Sequence, residues 1–377
     1  MTTGSIEPQR RRPFGSGKPV SLFTLGTMRA LQSPGQLQAV LEAAVAAGIN
    51  HLETAPAYGP SQRYLGQAIE RLGLAPDQLV ITSKVLPNQS LASAQAELRR
   101  SLEQLGVGRL DNLAVHGINR QEHLDWALHG PGQELLSWAL EEGLVDQVGF
   151  SSHGSYGLIA AAIRSGRFSF ASLHLHLFDP ARLPLAEEAL ARGLGVMAIS
   201  PADKGGRLFD PPELLRQACA PLEPLQLAYR FLLARGISTL TLGAAEPAEL
   251  QWAGLDGSPL SALEQAALAR LGQQRQERLG AEACGQCQAC LPCPQQVPIP
   301  ELLRLRNLAV GHGMESFAKE RYGLIGQAGH WFEAINAAAC RHCGDCLPRC
   351  PHHLAIPDLL ADTHQRLASP PRRRLWG

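Results

Sequence analysis

The chain has 377 residues, enough for one large domain and a smaller one. Lys+Arg and Asp+Glu balance at 34 each, so no basic excess points to nucleic acid as a partner. No run approaches the roughly 18 apolar residues of a membrane span, and the N-terminal arginines precede no apolar stretch. Neither a membrane nor secretion is therefore expected, and the cytoplasm is the default.

Residues 1–17 read as a flexible N-terminal segment. From 18 to 255, short β-rich runs alternate with Ala/Leu/Glu-rich helical runs such as "QLQAVLEAAVAA" and "LASAQAELRRSLEQL". Strands are expected at 21–26, 51–55, 79–85, 112–117, 145–152, 170–177, 195–200 and 238–244. Gly48, Gly73, Gly106, Gly143, Gly166, Gly193 and Gly236 fall where the helices end, the place for a left-handed cap that turns the chain back to a strand. Such alternation implies parallel strands with crossover helices. Eight units over this length fit a (β/α)8 TIM barrel, an α/β fold. The competing doubly wound sheet would carry a Gly-x-Gly-x-x-Gly phosphate loop after its first strand, and "GTMRALQSPGQ" has none. Residues 256–283 read as a helical linker, 284–368 as a small, mostly α-helical ferredoxin-like domain, and 369–377 as a basic tail.

Chemistry on a barrel gathers at the C-terminal ends of strands. There strand two supplies Glu53 and, in its loop, Tyr58; strand three supplies Lys84 and strand four His116. Singly these have ordinary readings: a rim aromatic, a solvated lysine, a satisfied core histidine. Together they have a chemical logic. An ammonium favours the phenolate of a nearby tyrosine, a carboxylate holds the ammonium, and an imidazole orients a carbonyl oxygen. The set makes a general acid that protonates an oxygen while hydride reaches its carbon. His153, His174 and His176 gain no such support, and structural roles are expected for His174 and His176 in "LHLHL".

The fragments "GINHLETAPAYG", "LVITSKV", "LDNLAVHG", "GLVDQVGFSSHG", "GVMAISPADKGG" and "LLARGISTLTLGAAEPAEL" resemble, in order, the signatures of the aldo/keto reductase family. The resemblance implies a (β/α)8 nicotinamide-dependent oxidoreductase with an Asp-Tyr-Lys-His tetrad. Tyr58, Lys84 and His116 fall on the Tyr, Lys and His positions. Glu53 falls on the Asp position, one methylene longer, so its carboxylate must fold back or displace Lys84. By the same resemblance Ser151 and Ser152 meet the nicotinamide carboxamide, Ser152 standing where the family has Asn. Ser200, Pro201, Lys204 and Gly205 approach the pyrophosphate, and Gly243, Ala244 and Glu249 the adenosine end. NADP is the family habit, but the usual basic residue for a 2′-phosphate is missing from "GAAEPAELQW", so NAD stays open.

Of nine cysteines, Cys219 stands alone and eight form two blocks. In a cytosolic chain such blocks suggest metal rather than disulfides. The second block, Cys340, Cys343, Cys346 and Cys350 followed by Pro, is the C-x2-C-x2-C-x3-C-P run of bacterial iron–sulfur proteins. The first, Cys284, Cys287, Cys290 and Cys293, has one residue fewer before its last Cys. In two-cluster proteins the fourth Cys ligates the other cluster. Cys284, Cys287, Cys290 and Cys350 are thus assigned to one 4Fe-4S cluster, and Cys340, Cys343, Cys346 and Cys293 to a second. Zinc prefers separated pairs and fits less well. Arg341 and Arg349 offset cluster charge or serve as ordinary surface arginines. The combination resembles a subgroup of aldo/keto reductases with a C-terminal ferredoxin-type domain. It implies NAD(P)H-dependent reduction of a small aldehyde or ketone, with the clusters serving stability, redox sensing or exchange with an external electron donor or acceptor protein. The alternative is an electron-transfer or redox-sensing protein whose barrel binds nicotinamide nucleotide without turnover.

Overall fold

The computed structural model describes residues 11–202, 207–329 and 333–371. The chain groups into two compact units. One runs to Leu177 and adds Arg182–Pro201 and Tyr229–Pro259; the other combines Phe178–Ala181, Ala202–Ala228 and the chain from Leu260.

The first unit is a barrel. An antiparallel pair, β1 (Arg11–Arg12) and β2 (Val20–Ser21), precedes eight parallel strands. These are β3 (Phe23–Gly26), β4 (His51–Glu53), β5 (Val80–Val85), β6 (Leu110–Val115), β7 (Val145–Ser152), β8 (Phe170–His174), β9 (Gly195–Ile199) and β10 (Thr239–Leu242). They close in the order β10-β3-β4-β5-β6-β7-β8-β9. The ring is complete, as the eight β/α units lead one to expect, and an open doubly wound sheet is excluded. All seven expected helix-ending glycines have positive φ. After the helix Leu91–Leu105, Gly106 at φ 68° lets its own N–H reach Glu103 O and the Val107 N–H reach Leu102 O. A side chain there would strain the backbone.

Two strand limits matter for the site. β6 spans 110–115 rather than 112–117, so His116 stands just past its end, its N–H held by Val85 O at 2.8 Å. β8 stops at His174, so His176 lies beyond the strand.

The expectation of a flexible segment over 1–17 is corrected for its described part. Phe14 is fully buried with Val20, Val80, Ala114, Phe170 and Met197. The chain passes so close to Gly195 that a Cβ there would lie 2.8 Å from the Gly15 nitrogen. Burying a phenylalanine stabilises by about 2–3 kcal/mol, more than enough to pin a short polar stretch to the barrel. Residues 1–10 lie outside the described residues.

Above this floor runs a hydrogen-bonded belt. Gln147 Nε2 donates to Asn112 Oδ1 (2.7 Å) and Asn112 Nδ2 to Thr82 Oγ1 (2.8 Å). Thr82 Oγ1 pairs with His51 Nε2, His51 Nδ1 with Thr24 Oγ1, and Thr24 with Thr239, each at 2.7 Å. Six strands thus satisfy one another's buried polar groups. Burial, and secondarily the Lys84 charge, hold the His51 imidazole down to about 3, so it stays neutral.

The second unit is mostly helical, with Glu213–Cys219, Ala262–Leu279, Ile299–His312, Glu315–Tyr322 and Ile356–Leu367. Ser261 and Glu264 cap the helix Ala262–Leu279 reciprocally. Among the described residues no helix is long and apolar enough to cross a membrane.

Candidate active site and cysteine cavities

Side chains alternate along a strand, so His51 and Glu53 of β4 share the barrel interior with Thr82 and Lys84 of β5. Glu53 and Lys84 are 4% and 3% exposed, and they are in direct contact through Glu53 Oε1 and Lys84 Nζ. The other donors of the ammonium reach Thr54 O at 3.1 Å and the Tyr58 hydroxyl at 3.0 Å. Three partners match the three N–H bonds of a lysine. Burial pulls the Lys84 ammonium well below its ordinary value, and contact with the Glu53 carboxylate opposes that pull.

Tyr58 is delivered by the tight loop between β4 and the helix Ser61–Arg71, where its N–H bonds Ala55 O at 3.0 Å. The Lys84 ammonium lies 4.5 Å from the centre of its ring, and the His116 ring meets it edge-on at 5.7 Å. Glu53, Tyr58, Lys84 and His116 therefore converge. The longer glutamate does not displace Lys84. Its added reach brings Oε1 to the Tyr58 hydroxyl, which donates to it at 3.3 Å.

The expected cofactor residues divide. Ser151 Oγ accepts the Gly117 N–H at 2.9 Å. The fully enclosed Ser152 hydroxyl donates to Ile118 O and accepts the Gly154 N–H, tying two loops. Ser200 follows β9 at φ 53°, a strained position for serine, and Pro201 beside it is buried. Lys204 and Gly205 lie outside the described residues. Gly243, Ala244 and Glu249 follow β10, joined there by a residue the sequence reading missed. Arg29 Nη1 donates to Gly243 O (2.6 Å) and to Glu249 Oε2 (2.7 Å). His174 and His176 are buried with their rings edge-to-face at 5.0 Å, and His153 lies 5.7 Å from His174.

In the second unit the cysteines surround two cavities. Cys284, Cys287, Cys290 and Cys350 line one. Cys293, Cys340, Cys343 and Cys346 line the other, with Arg341 and Arg349. Each cavity draws three cysteines from one block and the fourth from the other. Ile299 borders both. The blocks repeat each other in conformation: Gln286 and His342, Gln288 and Gly344, and Gln296 and His353 all have positive φ at matching positions. Each is followed by a matching helix start, "IPELL" at 299 and "IPDLL" at 356. That internal repeat was readable in the sequence. Asn307 clamps the first loop, donating to Cys284 O at 2.8 Å and accepting its N–H at 3.3 Å. Burial raises the Cys284, Cys290 and Cys346 thiols, Cys290 to about 12. Cys219, buried and pushed up to about 12, lies apart from both cavities.

The aldo/keto reductase family model matches residues 23–210, and that of a 4Fe-4S dicluster domain matches 283–355. A chloroplastic pyridoxal reductase of Arabidopsis thaliana is 29% identical over 231 residues, covering 51% of this chain and 60% of its own. The chain spans between 43% and 60% of the length of three curated relatives that it matches. An aldo-keto reductase from Bacillus halodurans, in holo form, superposes with a TM-score of 0.58 at 19% identity, over 70% of this chain and 96% of that one. Another from Klebsiella pneumoniae, in complex with NADPH, gives 0.56 at 23% identity, over 70% and 95%. At these identities the two structures speak for the fold. By its closed barrel, its family match and its cysteine-rich unit, the chain belongs to the aldo/keto reductase family and carries a C-terminal 4Fe-4S dicluster domain.

Proposed function

We propose that the protein is an NAD(P)H-dependent carbonyl reductase that converts a small aldehyde or ketone to the alcohol, with Tyr58 as general acid. The observation that carries this reading is the convergence of Tyr58, Lys84, His116 and Glu53 at one end of the barrel. Tyr58 gives its proton to the carbonyl oxygen and recovers one from solvent. The Lys84 ammonium, 3.0 Å from the phenol oxygen, stabilises the phenolate left behind. His116, edge-on to Tyr58, orients the carbonyl oxygen. Glu53 keeps Lys84 charged and in position.

The donor set of the rim fits a nicotinamide dinucleotide: hydroxyls of Ser151 and Ser200, the loop at Pro201, the backbone at Gly243 and Ala244, and the Glu249 carboxylate. Lys204 and Gly205 belong to the same expected loop. When bound, the nicotinamide supplies the hydride. The two four-cysteine cavities fit two 4Fe-4S clusters, with the ligand sets crossed between the blocks. The clusters supply one-electron chemistry and call for an external donor or acceptor protein, because hydride moves as an electron pair and the chain carries no flavin motif.

Tyr58→Phe tests the reductase. It is expected to lower kcat on an aldehyde panel by about 100-fold or more, the usual contribution of a positioned acid. Unchanged turnover in a protein that binds no nicotinamide refutes the reading. One observation favours the second reading, a nucleotide-binding redox protein without turnover. The Tyr58 proton is engaged by Glu53 rather than offered to substrate. Robust steady-state aldehyde reduction by the wild type removes it. Anaerobic iron and sulfide counts near about eight each test the clusters; zinc in their place overturns them.

A further inference from the structure

The loops after the first and last barrel strands meet at one corner of the rim. Arg29, three residues past β3, forms a fork with Glu249: Nη1 donates to Oε2 at 2.7 Å and Nη2 to Oε1 at 3.2 Å. Nη1 also donates to Gly243 O at 2.6 Å. Glu249 Oε2 accepts the Ala245 N–H at 3.0 Å, just ahead of the short 3₁₀ helix Pro247–Gly254. A guanidinium fork and a backbone N–H at a helix start together suit a phosphate, and loops after the last two barrel strands are where such sites form. Here a carboxylate of the chain itself takes those donors. Glu246, also exposed, adds a second negative charge beside it and accepts from Gln36 Nε2 at 3.4 Å.

We propose that this corner selects the dinucleotide with a free ribose 2′-hydroxyl, NAD(H), against NADP(H), with Glu249 as the discriminating residue. The inference rests on the dinucleotide reading above, with Gly243, Ala244 and Glu249 at the adenosine end. A 2′-hydroxyl donates to a carboxylate. A 2′-phosphate meets two carboxylates and finds Arg29 already paired. Arg29 and Glu249 are 39% and 27% exposed, so solvent screens the repulsion. The expected preference is therefore about tenfold, not thousands.

The test uses the full chain, purified anaerobically with its metal. Affinities for NADH and NADPH are read by nucleotide fluorescence, and those for 5′-ADP and 2′,5′-ADP by calorimetry. NADH is expected to bind about tenfold more tightly. Glu249→Gln, which keeps the size and removes the charge, should bring NADPH level with NADH. Adding Arg29→Gln should abolish that gain, because the freed guanidinium is what holds the phosphate. Wild-type protein that binds NADPH as well as or better than NADH overturns the selection and leaves the dinucleotide reading standing. Binding of neither nucleotide overturns both. If Glu249→Gln does not fold, the two ADP fragments on wild type decide, and a preference for 2′,5′-ADP overturns the proposal.

Discussion

Glu53→Asp is the most informative perturbation of the rim. It withdraws the carboxylate by about 1.5 Å, one carbon–carbon step. The Tyr58 hydroxyl now donates to Glu53 Oε1 at 3.3 Å, and aspartate cannot keep that bond. For Tyr58 to serve as an acid, its proton must point to substrate instead. A bond this long to a charged acceptor is worth about 1 kcal/mol net. Removing that cost from the barrier raises kcat by about fivefold. Lys84 itself stays at the strand end, because Nζ is also held by Thr54 O at 3.1 Å and the Tyr58 hydroxyl at 3.0 Å. Losing one buried methylene costs about 0.8 kcal/mol of stability.

Two measurements separate these effects. Steady-state kinetics on aldehydes should show kcat rising with KM nearly constant. Urea unfolding should show a small loss, about 1 kcal/mol. A fall in kcat with stability intact would refute the reasoning. It would mean that Glu53 is the working partner of Tyr58, not a brake on it.

Two further predictions follow from the barrel floor and the cysteine cavities. His51 titrates at about 3 in the fold, against about 6.5 in the unfolded chain. Between those values the unfolded chain binds a proton that the folded one refuses. Stability therefore falls as pH drops from about 6.5 towards 3, by up to ~1.4 kcal/mol per unit from this residue. His51→Gln should flatten that slope in urea midpoints measured against pH; an unchanged slope would clear His51 of the role. The crossed cysteine sets predict that Cys350→Ser and Cys350→Ser/Cys284→Ala lose the same cluster, about four irons. Cys350→Ser/Cys340→Ala should lose both. The opposite pattern in anaerobic iron counts would mean that each block serves its own cluster.

How much of this was legible depended on whether the signal was local. Tyr58, Lys84 and His116 stand at successive strand ends, and the alternation of strands and helices places strand ends well. The cysteine spacings carry their own geometry. What escaped was contact across the barrel. Arg29 and Glu249 are 220 residues apart and meet only because β3 and β10 close the ring. Phe14 sits in a stretch rich in arginine and glycine, and it is core only because Gly195 lets the chain pass. The Glu53–Tyr58 bond depends on a side-chain rotamer, which no periodicity encodes.

The proposed crossed ligation bears on how the two halves of the cysteine domain depend on each other. Neither block holds four cysteines on one cavity, so neither can complete a site alone. Each loop is shaped by positive-φ residues that cost energy unless the surroundings hold them. Metal bound at one cavity therefore orders the loop that supplies the fourth ligand of the other, with Ile299 packed against both. Two 4Fe-4S clusters held in the proposed way would take up as many electrons as one hydride carries. The match in number does not remove the mismatch in kind, because a hydride leaves as a pair and a cluster takes electrons singly. On the proposed function, an external one-electron carrier would resolve it most simply, loading the clusters while Tyr58 and the nicotinamide run a separate two-electron reaction.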